Sequence, residues 1–270
     1  MRSHITGDPE AGVFAEQLLR IGDGKVAQNN RGLIHFPRNF GILVANVEEL
    51  IDKVFPNLTQ NIDSPNYIHE RAILAPTNDS VEQLNLQIQE KLSNRPTRTY
   101  LSIDQTVEPD QAVNYPVEFL NSLAIPGLPP HKLTLKIGSP IMLLRNLDPP
   151  RLCNGTRLSV KKLHINSIEA TILVGSFAGE TVFIPRIPLI PADLVFEFKR
   201  LQFPVRLAYA MTINKSQGQS LRFVGLELSS PCFTHGQLYV ACSRVGSSSN
   251  MFILAPNGET KNIVYEQVLN

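Results

Sequence analysis

Apolar residues recur at helical spacing near the start of the chain. Residues 11–21 place Phe14, Leu18 and Ile21 on one helical face. Residues 47–55 predict a second amphipathic helix that ends at Pro56. The chain therefore opens with helices that each bury one face.

Short apolar runs then alternate with helical patterns, both early and late in the chain. Residues 71–74 predict a strand, and Asn78 is the expected cap of the helix that follows, whose stripe is Val81, Leu84, Ile88 and Leu92. The same pattern predicts later strands at 204–211, 223–228 and 251–254, a short helix starting at Ser216 and a helix at 234–245. Strand–turn–helix is the unit of a parallel sheet, so the fold class is α/β.

The middle of the chain lacks this alternation of strands and helices. Residues 95–130 are rich in proline and polar residues and predict an insertion with short strands. The tight-turn pair Asn154-Gly155 is followed by strand-like runs, and about residues 152–200 predict a small β-barrel. Further strand-like runs lie at 132–144, 156–163, 168–174 and 181–184. The predicted organisation is 1–94 and 201–270 for one α/β domain, interrupted at 95–200 by a β-rich insertion.

Composition narrows the classes of partner. The chain has 270 residues, of which 43% are hydrophobic and 18% charged, which is typical of a globular protein. A net charge of +1 excludes a polybasic surface, so any contact with nucleic acid must be a local groove. No apolar run approaches ~20 residues, so no membrane contact is expected. Three separated cysteines fit no zinc spacing and favour a reducing compartment, so no metal site is predicted.

The sequence LAYAMTINKSQGQSL at 207–221 gathers polar residues where an apolar strand ends. Thr212, Asn214 and Ser216 can donate hydrogen bonds to phosphate oxygens, and Gly218 would let a phosphate approach the backbone closely. If a helix starts there, its first N–H groups add further donors. The alternative is an ordinary polar helix start.

Two further segments carry candidate chemistry. In GQLYVACSRVG at 236–246, Leu238 and Cys242 can share a buried face, with Arg244 at the end of the helix. Arg244 is either a partner of a surface carboxylate or an arginine finger that neutralises charge on a transferring γ-phosphate. Thr77 and Asn78 can bind a nucleic-acid phosphate, cap the helix, or do both.

Two features of a nucleotide-driven motor are absent from the sequence. There is no GxxxxGK[ST] phosphate loop, and no apolar strand ends in the acidic pair that would hold Mg²⁺. The main triphosphate-binding half of such a motor is therefore not in this chain.

In the order of its motifs the chain resembles the C-terminal half of the Pif-type DNA helicases, superfamily-one enzymes that move 5′ to 3′ along single strands. Within that family it is most similar to the helicase regions of plant Helitron-type transposons. The strings that carry the resemblance are FAEQLLRIGDGK at 14–25, RAILAPTN at 71–78, GSPIMLLRNLDPPRLCNGTRL at 138–158, IPRIPLIP at 184–191, FKRLQFPVRLAYAMTINKSQGQSL at 198–221 and HGQLYVACSRV at 235–245.

The resemblance implies roles for individual residues. The block TINKSQGQ corresponds to helicase motif V, whose DNA-contacting positions are Thr212, Asn214 and Lys215. Thr77 and Asn78 would also bind DNA, and the nucleotide-binding positions would be Gly218, Gln219 and Ser220. Motif VI makes Arg244 the arginine finger, and the end of motif IV makes Arg2 a second γ-phosphate ligand.

The resemblance also implies an architecture and a function. The fold would be a RecA-like parallel-sheet domain with an inserted Src-homology-like β-barrel that helps hold single-stranded DNA. ATP and Mg²⁺ would bind together with the N-terminal RecA-like half, in the nucleus or the mitochondrion. The chain would be the C-terminal motor half of an ATP-dependent DNA helicase, inactive alone. The alternatives are a non-catalytic single-stranded DNA-binding module left by a decayed transposon, and an RNA-directed superfamily-one helicase.

Overall fold

The computed structural model describes residues 9–108, 114–191, 196–265 and 267. The chain divides into two compact units. The parallel-sheet unit comprises Met1–Asn61, Glu70–Lys91 and Tyr209–Asn270, and the insertion unit comprises Ile62–His69 and Leu92–Ala208. The assignment of the three stretches 1–94, 95–200 and 201–270 to helicase domains stays a prediction.

The helices, in chain order, are α1 (Pro9–Gly22), α2 (Val47–Val54), α3 (Leu58–Asn61), α4 (Pro65–His69), α5 (Asn78–Glu90), α6 (Val117–Ser122) and α7 (Gln237–Cys242). The strands are β1 (Leu33–His35), β2 (Ile42–Leu43), β3 (Arg71–Ala75), β4 (Thr97–Leu101), β5 (Ile103–Thr106), β6 (Lys132–Lys136), β7 (Pro140–Leu143), β8 (Arg157–Leu163), β9 (Ser167–Ile172), β10 (Thr181–Pro185), β11 (Ile187–Leu189), β12 (Phe198–Gln202), β13 (Val205–Leu207), β14 (Ala210–Thr212), β15 (Phe223–Glu227), β16 (Met251–Leu254) and β17 (Glu259–Lys261). No helix within these ranges is long and apolar enough to cross a membrane.

The parallel-sheet unit is built on a five-stranded sheet with the order β14-β3-β15-β16-β2. Every pair of neighbours in it is parallel, which confirms the α/β prediction. The predicted apolar stripes of α1, α2 and α5 are buried. Asn46 starts α2 because its side chain accepts a hydrogen bond from Glu49 N at 2.9 Å.

Gly225, in the middle of β15, packs directly against α2. A Cβ atom at this position would lie 2.8 Å from Val54 Cγ2 and 3.1 Å from Leu50 Cδ1, both on α2. We expect Gly225→Ala to lower the free energy of unfolding by about 1–3 kcal/mol, because the core is already filled. Urea unfolding measures this. The control is Gly12→Ala in α1, where nothing lies within 4 Å of the added Cβ and stability is expected to stay equal or rise. Equal stability of the two variants would contradict the close packing of α2.

The segment 204–211, predicted as one strand, is two strands in different sheets. Val205–Leu207 pairs antiparallel with β7 in the insertion unit, whereas Ala210–Thr212 pairs parallel with β3. The division between the two units falls between Ala208 and Tyr209. Apolar periodicity reports burial, which continues through both strands, but it carries no information about which strand is the partner.

The insertion unit consists of antiparallel sheets. Their strand orders are β10-β9-β8-β7-β13, β11-β12-β5 and β4-β6. The predicted strands at 132–144, 156–163, 168–174 and 181–184 are confirmed, as is the turn at Asn154-Gly155, where Gly155 has φ +91°. Among the described strands, β10 and β13 form the two edges of the five-stranded sheet and are not paired with each other. The Src-homology-like barrel therefore stays a prediction.

The proline-rich stretch before β6 contains a helix as well as the expected short strands. The helix α6 has six residues, which is too few to show a helical period in the sequence. Its Leu120 is buried against Leu128, Leu189 and Phe198 in a small apolar cluster. Burial of one residue against distant strands therefore stabilises a helix that the local pattern does not reveal.

A fully buried ion pair lies beside this cluster. Arg200 on β12 binds Asp104 on β5 through both carboxylate oxygens, with Arg200 Nη2 at 2.7 Å from Asp104 Oδ2 and Nε at 3.1 Å from Oδ1. The same guanidinium donates to the carbonyl oxygens of Leu120, Leu123 and Pro129. Arg200 thus fixes α6 and the loop after it to the strands.

Candidate functional site

The carboxyl ends of β3 and β14 lie side by side in the parallel sheet. Ala75, the last residue of β3, pairs with Thr212, the last residue of β14. The segments that follow these strands therefore leave the same edge of the sheet as neighbours. Together with Thr212 at the end of β14, they carry five of the candidate residues: Thr77, Asn78, Thr212, Asn214 and Lys215.

The structure corrects the prediction for how α5 begins. Thr77, and not Asn78, is the N-cap, since Thr77 Oγ1 accepts a hydrogen bond from Ser80 N at 3.3 Å. Thr77 is half-buried and Asn78, the first helical residue, is exposed. A polar side chain therefore caps this helix start as predicted, but the capping residue is Thr77, one position before the expected Asn78.

The segment after β14 differs from the predicted helix start. Residues Ile213–Ser216 form a 3₁₀ turn, so Ser216 ends a helical turn where the sequence predicted that it begins an α-helix. The N–H groups of Gln217 and Gln219 donate to Asn214 O and Ser216 O. The prediction that a short helix starts at Ser216 is thus wrong, and two of the N–H groups that follow it are bonded within the turn. Buried Ile213 anchors the turn and leaves the side chains of Asn214 and Lys215 exposed.

Gly218 lies at the tip of the turn after this 3₁₀ segment. Its φ of +78° is in the left-handed region that favours glycine, and nothing lies within 4 Å on the side where a Cβ would project. Gln219 donates from Nε2 to Lys215 O at 3.3 Å, and its buried Oε1 has no hydrogen-bond partner among the described residues. Ser220 is exposed.

Arg244 reaches from the end of α7 to this same turn. Its Nη1 donates to Gln219 O at 3.2 Å and to Ser216 O at 3.4 Å. Its Nε donates to Val240 O at 2.9 Å and its Nη2 to Ser243 Oγ at 2.7 Å. The backbone adds a further link, since Leu221 N donates to Arg244 O at 2.9 Å. The two sequence motifs therefore form one hydrogen-bonded site.

Asn85 is a residue of the site that the sequence analysis missed. This buried residue of α5 forms a pair of hydrogen bonds with Ala210 on β14, from Nδ2 to Ala210 O at 3.0 Å and from Ala210 N to Oδ1 at 2.9 Å. A side-chain amide thus replaces a neighbouring strand beside β14 and fixes the strand that leads to Thr212. The available signal was a polar residue four positions after Val81 and three before Ile88, and so on the buried face of α5.

The chain resembles known helicases in sequence and in fold. The family model "DNA helicase Pif1, 2B domain" matches residues 118–163, within the insertion unit. The ATP-dependent DNA helicase PIF6 of Trypanosoma brucei brucei is 35% identical over 146 residues, which cover 49% of this chain and 18% of that protein. The ATP-dependent DNA helicase Pif1 of Bdellovibrio bacteriovorus is 34% identical over 134 residues, covering 47% of this chain and 28% of that protein.

Over about half of its length the chain is similar in sequence to Pif1 DNA helicases. Solved structures agree in fold: Pif1 from Candida albicans matches with a TM-score of 0.63 at 21% identity, over 96% of this chain and 56% of that one. Bacteroides Pif1, solved with ADP-AlF3 and ssDNA, matches with a TM-score of 0.61 at 22% identity, over 97% of this chain and 52% of that one. The chain thus spans about half of the solved Pif1 chains and less of the curated relatives.

Two further predictions concern Arg2 and the length of the helix α7. Arg2 lies outside the described residues. The α7 helix is six residues long, shorter than the predicted 234–245, although Leu238 and Cys242 share its buried face as expected.

The buried cysteines Cys232 and Cys242 are unsuited to act as nucleophiles. Burial raises the pKa of the Cys232 thiol to about 12 and that of Cys242 well above its usual value, so both stay protonated near neutral pH. In the described part of the chain, no cluster of three His, Cys, Asp or Glu side chains could hold a metal ion.

Proposed function

We propose that this chain is the C-terminal motor part of an ATP-dependent 5′-to-3′ DNA helicase of the Pif1 type. The observation that carries the proposal is the hydrogen-bonded link between Arg244 and the turn that follows Asn214 and Lys215. One compact site thereby joins a cation suited to a γ-phosphate with side chains suited to a nucleic-acid backbone. Homology to the Pif1 helicases and the fold shared with them support this assignment.

The mechanism divides the site into two faces. Arg244 would neutralise charge on the transferring γ-phosphate of ATP held with Mg²⁺ by the N-terminal RecA-like half, and Arg2 would add a second cation. Gly218, Gln219 and Ser220 would lie beside the nucleotide. Single-stranded DNA would run along the carboxyl edge of β3 and β14, where Thr77, Asn78, Thr212, Asn214 and Lys215 contact its phosphates.

The remaining parts of the proposal follow from the resemblance. The insertion unit would form the barrel that helps hold the strand, and the protein would work in the nucleus or the mitochondrion, with kinship to Helitron-type transposon helicases. Without a phosphate loop or an acidic pair in its sequence, the chain alone is expected not to hydrolyse ATP. Appreciable ATP hydrolysis by the pure chain would contradict this.

Binding of single-stranded DNA by the chain itself tests the proposed DNA edge. We expect Lys215→Ala to weaken binding to a fluorescently labelled single-stranded oligonucleotide at every sequence tested and to reduce the salt slope of the binding constant by about 0.7, since one phosphate contact is lost. Asn214→Ala is expected to weaken binding while leaving the salt slope nearly unchanged, because the amide carries no charge. Fluorescence anisotropy across a salt series measures both quantities.

The matched control is Lys53→Ala, which removes an exposed lysine from the last turn of α2. It is expected to leave the binding constant and its salt slope at the wild-type values. If Lys53→Ala and Lys215→Ala behave alike, the binding is a general surface effect and the proposed DNA edge is wrong. Binding of an RNA strand of equal sequence at equal affinity would favour the RNA-directed alternative.

A further inference from the structure

Along one edge, the guanidinium of Arg244 donates hydrogen bonds to a carbonyl and a hydroxyl group at the end of α7. Its Nε donates to Val240 O at 2.9 Å, and its Nη2 donates to Ser243 Oγ at 2.7 Å. Ser243 Oγ itself donates to Val240 O at 3.0 Å. The three groups form a closed ring in which Val240 O accepts twice and the serine hydroxyl both accepts and donates.

The end of a helix explains why this ring forms. The last carbonyl groups of α7 have no intrahelical donors, because the helix stops at Cys242. Ser243 is the C-cap residue, with φ −78° and ψ −1°, and its side chain folds back over the last turn to reach Val240 O. Arg244 reaches the same carbonyl oxygen, so both side chains cap one helix end and are thereby brought into contact.

The other edge of the guanidinium is held by backbone atoms. Nη1 donates to the carbonyl oxygens of Ser216 and Gln219 in the turn after β14. Of the four hydrogen bonds named for Arg244, three end on backbone carbonyls and one on a side chain. Ser243 is thus the partner in this set that a substitution can remove while the main chain stays the same.

We propose that Ser243 is a positioning residue for Arg244, a role that rests on the proposed function of Arg244 as an arginine finger. A planar guanidinium stabilises a transferring phosphoryl group only in a narrow range of orientations, and holding it there in advance avoids reorganisation during the reaction. The Ser243 hydroxyl fixes the Nη2 end of the plane, and Val240 O fixes the Nε end. Ser243 need not touch the nucleotide to act in this way.

Kinetics of the joined helicase provide the first test. In a protein that joins this chain to the N-terminal half of a Pif1 relative, we expect Ser243→Ala to lower kcat for ATP by about 10-fold, the loss of one hydrogen bond to a charged group. The KM for ATP is expected to change little, since Arg244 acts on the transferring phosphate rather than on ground-state binding. Ser243→Thr retains a hydroxyl and is expected to restore kcat. Ser247→Ala, which removes a serine whose hydroxyl contacts Ser249, is the matched control and is expected to leave kcat unchanged.

Proton exchange in the 270-residue chain provides a second test that needs no nucleotide. The Arg244 Nη2–H resonance, assigned by its disappearance in Arg244→Lys, is expected to exchange about 10-fold faster with water in Ser243→Ala, because the hydrogen bond that this group donates to the Ser243 hydroxyl is lost. In Ser243→Thr the rate is expected to stay close to that of the wild type. An unchanged rate in Ser243→Ala would show that the hydroxyl does not hold the guanidinium and would overturn the proposal.

The two tests separate this inference from the proposed function. If Arg244→Ala abolishes turnover and Ser243→Ala keeps the wild-type kcat, the positioning role is wrong and the arginine finger stands. If Arg244→Ala keeps full turnover, the arginine-finger function is wrong, and the positioning role in catalysis fails with it even where the exchange data show that Ser243 holds the side chain.

Discussion

Arg244→Ala is expected to lower ATP turnover by about 10³-fold or more in the helicase that joins this chain to a Pif1-type N-terminal half. Alanine removes a fixed positive charge from the place where negative charge builds up on the transferring γ-phosphate. Arg244→Lys keeps the charge but loses the planar fork, so it is expected to recover only part of the rate. Steady-state ATP hydrolysis at saturating single-stranded DNA measures the effect.

Two measurements separate this loss from damage to the fold. Arg244 also holds the carbonyl oxygens of Ser216 and Gln219, so thermal unfolding must show that the alanine variant stays folded at the assay temperature. Binding of single-stranded DNA is expected to survive, since the DNA edge lies with Asn214 and Lys215. Arg222→Ala, which removes an arginine with a 64% exposed side chain from the same unit, is the matched control. Equal turnover in Arg244→Ala and Arg222→Ala would make Arg244 a structural residue and favour the non-catalytic binding module.

The second large effect concerns the stability of the insertion unit. Arg200→Met is expected to lower the free energy of unfolding by about 3–5 kcal/mol, because it leaves the Asp104 carboxylate buried without its partner. It also removes the donor to the carbonyl oxygens of Leu120, Leu123 and Pro129. Urea unfolding, followed by circular dichroism, measures the change.

The matched control is a surface pair of the same chemistry in the same unit. Arg95 binds both oxygens of Asp63 at 2.6 Å, and the side chain of Asp63 is 65% exposed. Arg95→Met is expected to change the free energy of unfolding by less than about 1 kcal/mol, since water solvates the remaining carboxylate. A large loss in Arg95→Met, or a small one in Arg200→Met, would contradict the difference in burial on which the prediction rests.

The local sequence pattern was sufficient to predict the elements in which buried residues recur at a regular spacing. The stripe Val81, Leu84, Ile88 and Leu92 is buried, and β3 and α5 form the predicted strand–turn–helix. The helix α6 was not predicted because six residues are too few to show a helical period, and because Leu120 is buried by residues that are distant in sequence. The 3₁₀ turn at Ile213–Ser216 escaped because its polar residues are equally compatible with the start of an α-helix.

The sequence determined the type of the elements with a clear period, the α/β class and the identity of the polar segments 212–220 and 236–246, because spacing and residue type act over a few neighbouring positions. Only the tertiary structure decided that β13 and β14 belong to different sheets and that Asn85 fixes Ala210. It also decided that Arg244 binds the turn at Ser216, 28 residues before it in the chain. Partner choice depends on contacts between distant residues, and a side chain that joins two motifs leaves no periodic signal in either one.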